Sequence, residues 1–386
     1  MPPQAGSGAP LGPGGGATPT GAGRTRRRRR WLRYSAIGAA LLVMVAGGTG
    51  WIAYERLNGN ITKDADAAAE LARYEKERPG ALVSGAQNLL LIGSDSRAGA
   101  NREYGRDDGT QRSDTTILLH VAADRRSATA VSFPRDLMVD VPACRRFDHT
   151  RNEPMFAMFN YAFEVGGSAC TIRTVEKMTG VRIDHHMVVD FKGFKDMVDA
   201  VDGVEVCLEE PIDDADAHLR LAPGRHLLDG EQALGYVRAR KSLGNGSDTD
   251  RMDRQQRFLG ALVTKVQSDG VLLNPAKLYP VLDAATSSLT TDPDLASLRG
   301  LYDLVRGMRG IPADRIQFLT VPRRSYVYDA NRDELVQPDA RRLFKRLRTD
   351  APVVVAPQTP TDIRAGSRPA PAPTFRGNTA RQSSCR

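Results

Sequence analysis

The order of apolar and polar positions divides the chain into segments of different character. Positions 34–54 read YSAIGAALLVMVAGGTGWIAY, 21 residues without a charge. A helix of that length rises roughly 30 Å, the thickness of a bilayer core. Trp31, Tyr34, Trp51 and Tyr54 stand at its ends, where amphipathic rings prefer the membrane interface. Farther along, short apolar runs alternate with stretches of helical period. Positions 87–93 (QNLLLIG) read as a buried strand ending at glycine. Positions 115–122 and 128–133 read as neighbouring strands joined by a polar turn at 124–127. Phe194, Met197, Val198 and Val201 recur at helical spacing, with Phe191 just ahead. Positions 204–208 and 316–321 read as further strands. Strands and helices interleave, which predicts a single α/β/α layered domain with a mixed central sheet, preceded by one transmembrane helix.

The remaining segments lack such patterns. Residues 1–33 are Gly- and Pro-rich, then Arg-rich, and are predicted to be a disordered basic segment. In 55–81, charge alternates with alanine, as in an exposed stalk. Residues 351–386 are Pro-, Ser- and Arg-rich and are predicted to be a disordered tail, which leaves 82–350 as the ordered domain. A cleaved signal peptide would end at small residues, but the apolar run continues past Gly47 and Gly48. A buried core helix would leave the adjoining arginines unexplained. A single-pass anchor in the cell membrane accounts for both, and the positive-inside bias puts the N-terminus in the cytoplasm and 55–386 outside.

Charge then narrows the partners. The formal net charge is +8, but seven arginines lie in the first 34 residues, which hold no acidic residue. The segment from Pro357 contributes a net +4, so 35–356 carries about −3. This excludes a uniformly basic domain that coats nucleic acid. With 41% hydrophobic residues the chain can bury a large core, and four cysteines are too few for a disulfide-dense scaffold. Cys144 and Cys170 flank a loop-rich region on the oxidising side, and a disulfide between them is expected. Cys207 then reads as a core thiol and Cys385 as a tail thiol. There is no CxxC, and His185-His186 is far from any cysteine, so the spacing offers no zinc site.

Arginines and aspartates collect in short segments at predicted element ends: GSDSR at 93–97, RSDT at 112–115, FPRD at 133–136, YVRAR at 236–240 and RMDRQQ at 251–256. Two carboxylates can hold a hard divalent cation such as Mg²⁺ together with phosphate oxygens. Guanidinium forks clamp phosphates bidentately. The bland alternative is a set of surface ion pairs worth about 0–1 kcal/mol each. Arg251, Gln255, Leu259 and Leu262 lie on one helical stripe, polar at its start and apolar beyond. Such a stripe suits an amphiphile with a charged head, and equally an ordinary core face.

With these segments in view, the chain resembles the LytR–CpsA–Psr family of membrane-anchored cell-wall enzymes. The resemblance rests on NLLLIGSDSR, RSDTT, AVSFPRDLMVDVP, GVRIDHHMVVDFKGFKDMVDAVDGVEVCL, GRHLLDGEQALGYVRARK and DRMDRQQRFLGALVTKV, in that order. It implies a phosphotransferase that moves a glycopolymer from a polyprenyl pyrophosphate carrier to peptidoglycan, forming a phosphodiester. Asp95 and Asp114 match the family's Mg²⁺-associated aspartates. Arg112, Arg135, Arg238, Arg240 and Arg251 match its pyrophosphate-holding arginines, Gln255 matches the glutamine beside them, and Arg97 belongs to the first motif. Asp95, Asp114, Arg135 and Arg240 form the expected catalytic set, with Asp114 or Asp136 taking the acceptor proton. The polyprenyl chain is expected along the helices near 194–201 and 258–266. Two alternatives remain open: a pyrophosphatase using water, and a lipid-carrier binding or regulatory protein without turnover. The polymer is also open among teichoic acid, arabinogalactan, capsular and other anionic glycans.

Overall fold

The computed structural model describes residues 22–95, 113–239, 248–268, 275–356 and 374–383. The chain divides into two units, Met1–Glu55 and Arg56–Arg386. Helix α1 (Ala22–Asn60) carries the apolar run and extends beyond it at both ends, so residues 22–33 of the segment expected to be disordered are helical. Among the described residues it is the one helix long and apolar enough to cross a membrane, and Trp31, Leu42, Val43 and Trp51 on it are exposed.

The second unit opens with β1 (Thr62–Lys63) and α2 (Ala65–Arg73), followed by the long strands β2 (Gln87–Ser94), β3 (Ser113–Val121) and β4 (Ala128–Phe133). Next come the hairpin β5 (Met138–Val141) and β6 (Met155–Met158), helix α3 (Tyr161–Thr179), β7 (His185–Val189) and α4 (Phe191–Ala200). Four short strands, β8 (Val204–Leu208), β9 (Ile212–Asp214), β10 (Leu219–Leu221) and β11 (Gly224–Leu228), lead to α5 (Gly230–Arg238). Then follow α6 (Asp248–Ser268), α7 (Pro275–Ser288), β12 (Leu289–Thr291), α8 (Leu298–Met308) and β13 (Ile316–Thr320). The hairpin β14 (Arg323–Tyr326) and β15 (Asp329–Leu335), helix α9 (Asp339–Arg348), β16 (Val354–Ala356) and β17 (Thr374–Thr379) complete the fold.

Nine strands form one mixed sheet in the order β1-β12-β7-β2-β3-β4-β13-β17-β16. β2 runs parallel to β7 and antiparallel to β3, while β4 runs antiparallel to β3 and parallel to β13. The C-terminal ends of β2, β4, β7 and β13 and the start of β3 therefore share one edge of the sheet. All six residues of β4 are buried, because both faces are covered. Leu118 and Val131 face a core shared with α3, α9 and Val139 of β5. Ile117 and Ala130 point the other way, toward Leu259 and Val263 of α6. Strand period thus produces the three layers.

Three further expectations need correction. Segment 55–81 is not a stalk. Leu57, Ile61, Ala67, Leu71 and Tyr74 are buried, β1 pairs with β12, and Ala67 and Leu71 of α2 join the core around α3. Asp64 caps α2, and its carboxylate accepts hydrogen bonds from the Ser168 hydroxyl and from His186 Nε2 at 3.0 Å. The alanine-rich alternation concealed an amphipathic helix. The stretch from 351 is also not wholly a tail, since β16 pairs with β17, and β17 pairs with β13. In β17 only Phe375 and Gly377 are buried, too short an alternation to stand out among prolines and serines. A Cβ on Gly377 would lie 2.3 Å from the Phe318 carbonyl oxygen, so the strand closes on β13 only with glycine there. Cys207, finally, is an exposed strand residue in a disulfide rather than a core thiol, while Cys385 lies outside the described residues. Cys144 and Cys170 are disulfide-bonded to each other, and Gly166 leaves room for the bridge: a Cβ there would lie 3.0 Å from that of Cys170.

Candidate active site

Most of the site candidates that are described lie where an element ends. The β2–β3 register runs from Gln87 opposite Val121 to Gly93 opposite Thr115, then shifts so that Ser94 faces Ser113. Asp114 is the extra residue of that bulge, and bulges at sheet edges re-aim side chains out of the strand alternation. Asp95 follows β2 directly and is half-buried.

Arg135 leaves β4 in a turn closed by the Leu137 amide on the Pro134 carbonyl, and its own carbonyl accepts from the Asn160 amide. With its backbone so held, Arg135 donates from Nη1 to Asp114 Oδ1 at 2.9 Å and from Nε to Asp136 Oδ2 at 3.2 Å. The Arg135 and Asp114 side chains are 25% and 34% exposed. That is dry enough to strengthen the pair and open enough to admit a ligand. Asp136 Oδ1 faces Arg332 Nη1 at 3.5 Å, so two arginines occupy both of its oxygens. Among the described residues, Arg135 is the one partner of the Asp114 carboxylate, which leaves Oδ2 available.

Helices α5 and α6 bring further candidates to the same edge. Asp229 and Gln232 form a capping box that starts α5, and Arg238 in its last turn places its guanidinium 4.7 Å from the Phe191 ring centroid, over the first residue of α4. Arg251 is buried in the first turns of α6. Gln255 Nε2 donates to the Val237 carbonyl at 3.2 Å and joins α6 to the end of α5. Arg254, also buried, donates to the Ala239 carbonyl. Gln256 Nε2 donates to Ser132 Oγ at 3.0 Å and Thr320 Oγ1 at 3.1 Å, which ties α6 to the ends of β4 and β13.

Of the predicted set, the structure joins Asp114 directly to Arg135 and carries Asp95, Arg238, Arg251 and Gln255 on the adjoining element ends. Arg97, Arg112 and Arg240 lie outside the described residues. Sequence reasoning missed Arg254, Gln256 and Arg332. The first two stand in the quoted RMDRQQ segment and were recoverable from its helical period. Arg332 carried no local signal, because only the fold brings its hairpin to Asp136.

Among the described residues no group of three or more His, Cys, Asp or Glu side chains could hold a metal alone. Mg²⁺ does not need one, since it takes one or two carboxylates and completes its shell with phosphate oxygens and water. Asp95 and Asp114, hard oxygen donors beside the bulge, are a donor set of that kind. On the helical side, Phe194 of α4 packs against Phe258 of α6 with ring centroids 5.4 Å apart, within a core that includes Val198, Val201 and Leu262.

The chain is 40% identical over 210 residues to LcpB of Corynebacterium glutamicum, a probable cell wall biosynthesis protein, covering 53% of this chain and 47% of that one. Cell wall biosynthesis protein LcpA of the same organism is 31% identical over 309 residues, covering 73% and 58%. The chain thus spans about half the length of these relatives. TagT of Bacillus subtilis, a polyisoprenyl-teichoic acid–peptidoglycan teichoic acid transferase, is 27% identical over 322 residues, covering 81% of this chain and 93% of its own. Among solved structures, B. subtilis TagV superposes with a TM-score of 0.55 at 24% identity, over 70% of this chain and 100% of that one. That likeness shows a shared fold. The LytR_cpsA_psr family model matches residues 56–349, beginning where the second unit begins. The chain belongs to the LytR–CpsA–Psr family.

Proposed function

We propose that this chain is a membrane-anchored phosphotransferase, its domain outside the cytoplasm, that moves a glycopolymer from a polyprenyl pyrophosphate carrier to a peptidoglycan hydroxyl. The observation that carries this reading is the Asp114–Arg135 pair at 2.9 Å on a sheet-edge bulge, with arginines of α5 and α6 on the same edge. TagT's name supports it, since that relative is described as a teichoic acid transferase acting from a polyisoprenyl carrier onto peptidoglycan.

In this reaction the acceptor oxygen attacks the glycan-bearing phosphorus. The bond from that phosphorus to the oxygen of the polyprenyl phosphate breaks, and polyprenyl phosphate leaves with the electron pair. Arg135, Arg238 and Arg251, with Arg97, Arg112 and Arg240 from the same motifs, hold the pyrophosphate and offset the charge that grows on its oxygens. Gln255 and Gln256 keep the start of α6 in place. Asp95 and Asp114 would hold Mg²⁺, which supplies charge stabilisation to phosphate oxygens. Asp136 has both oxygens engaged by arginines, so Asp114 is the carboxylate left to take the acceptor proton, and when it does so Asp95 is the aspartate left to hold the cation.

The test incubates the full chain with a polyprenyl-pyrophosphoryl glycan and peptidoglycan oligomers, with and without Mg²⁺, and reads products by mass spectrometry. A phosphodiester-linked product that requires Mg²⁺ is expected. Release of the glycan phosphate to water alone would replace the reading with a pyrophosphatase. Undiminished activity in a cell carrying Asp95→Ala with Asp114→Ala would replace it with a binding role.

A further inference from the structure

Beside the candidate active site lies a surface that the phosphoryl chemistry does not use. In the β5–β6 hairpin Phe156 pairs with Asp140, and both are exposed. The β14–β15 hairpin shifts register between Ser325 and Tyr326. There the Tyr326 ring comes to 6.1 Å from that of Phe156 and 5.3 Å from that of Tyr328. Phe156 is 53% exposed and Tyr328 84%. Single exposed apolar side chains are ordinary, but aromatic rings in mutual contact and open to solvent mark an interaction surface.

The hairpin is fastened to the segment that carries Arg135. The Asp333 amide donates to the Asp136 carbonyl at 3.1 Å, Arg332 meets the Asp136 carboxylate, and Arg323 pairs with Asp333. The rings are therefore rigidly placed near the phosphoryl-transfer residues. Asp140, Asp329 and Arg332 flank them, so hydrogen-bonding groups of both signs alternate with aromatic faces. A pyranose chain has the matching character: each ring offers a C–H face to stack on an aromatic and hydroxyls or acetamido groups at its rim.

Geometry also separates the two hairpins from α6. β5 and Leu335 of β15 pack on the α3–α9 side of the sheet, whereas α6 packs on the opposite side. In-line displacement needs the nucleophile and the leaving group on opposite sides of phosphorus. With the lipid carrier along α4 and α6, as the proposed transferase reading expects, the acceptor enters from the side of the two hairpins. We infer that Phe156, Tyr326 and Tyr328 form a stacking platform for the acceptor, an N-acetylated amino-sugar strand of peptidoglycan. This rests on the proposed transferase reading and names the part of the surface that positions its acceptor.

The test uses the full chain in lipid nanodiscs and a peptide-free oligosaccharide of peptidoglycan as the probe, with binding read by calorimetry. Phe156→Ala with Tyr328→Ala should weaken binding by about tenfold or more, as for truncated aromatic anchors at other interfaces. Tyr328→Trp should retain it. In the transfer assay the double variant should raise the acceptor KM while leaving saturated kcat and acceptor-free donor hydrolysis unchanged. Both side chains are exposed, and an unchanged unfolding midpoint checks the fold. Equal oligosaccharide affinity in wild type and double variant overturns the inference. So does a loss confined to donor polymer, to protein-free lipid vesicles or to self-association. A wild-type chain with no transfer activity would sink the proposed function, while the oligosaccharide titration would still read the platform alone.

Discussion

Arg135 holds two carboxylates with one guanidinium, which places the positive charge where a pyrophosphate would meet Asp114. Replacing it by alanine should lower transfer by roughly 10²–10³, the usual cost of losing one stabilising charge at such a site. The partly exposed pair contributes little to folding, so the unfolding midpoint should hold; a wild-type transfer rate in the variant would remove Arg135 from the site. His185 is the first residue of β7, at the end of the strand away from the candidate site. The hydrogen bond to the Asp292 carboxylate raises His185 above its ordinary value of 6.5, against the opposing effect of burial. Burial pushes the Asp292 carboxyl up, but hydrogen bonds from His185 and the His186 amide outweigh it and hold the group below 3.8. A raised histidine contributes stability that is fully present below pH 6.5 and is lost as pH rises through its folded value. The lowered carboxylate contributes stability above pH 3.8 that is lost on acidification through its own folded value. Melting curves should therefore show the wild type losing more stability above pH 6.5 than His185→Asn. Equal slopes would assign the pair no role. The site aspartates and arginines were legible as types at element ends. That Arg135 would choose Asp114 and Asp136, and that Arg332 would complete the set, depended on contacts between segments distant in sequence.

Among the elements, the long strands were readable because β2, β3 and β4 each carry a short apolar, partly β-branched stretch of the kind a doubly covered sheet buries. α2 and β17 were not, since one hides its apolar face among alanines and the other has two buried residues, one of them a glycine. Removing residues 374–386 should uncover the edge of β13 and lower the unfolding midpoint. An unchanged midpoint would mean that the last strand adds nothing to the fold. The Cys144–Cys170 bridge spans a sequence separation of 26 and clamps the middle of α3 to the loop after β5. Loop-closure entropy assigns such a bridge about 3 kcal/mol, so Cys144→Ser with Cys170→Ser should shift the denaturant midpoint markedly. A shift within error would show that the core alone holds this corner.

For the whole molecule, the boundary of the folded unit matters most in practice. A fragment beginning at residue 82 lacks Leu57, Ile61, Ala67 and Leu71, which are buried, and the Asp64 side chain that His186 and Ser168 engage. It should be less stable and less soluble than one beginning at residue 56, by thermal unfolding and sedimentation; equal behaviour would return 55–81 to the role of a stalk. By itself, the sequence determined the apolar 34–54 run, the α/β class, the Cys144–Cys170 pairing and the collection of arginines and aspartates at element ends. Each of these is written in local period, in residue type or in a few cysteines. Tertiary structure alone decided which strand ends share an edge and that a one-residue bulge turns Asp114 toward Arg135. It also docked the segment after the anchor and the last strand, and set two hairpins far apart in sequence beside one another with their aromatic rings in contact. These are facts of register and long-range pairing, and no local window of residues contains them.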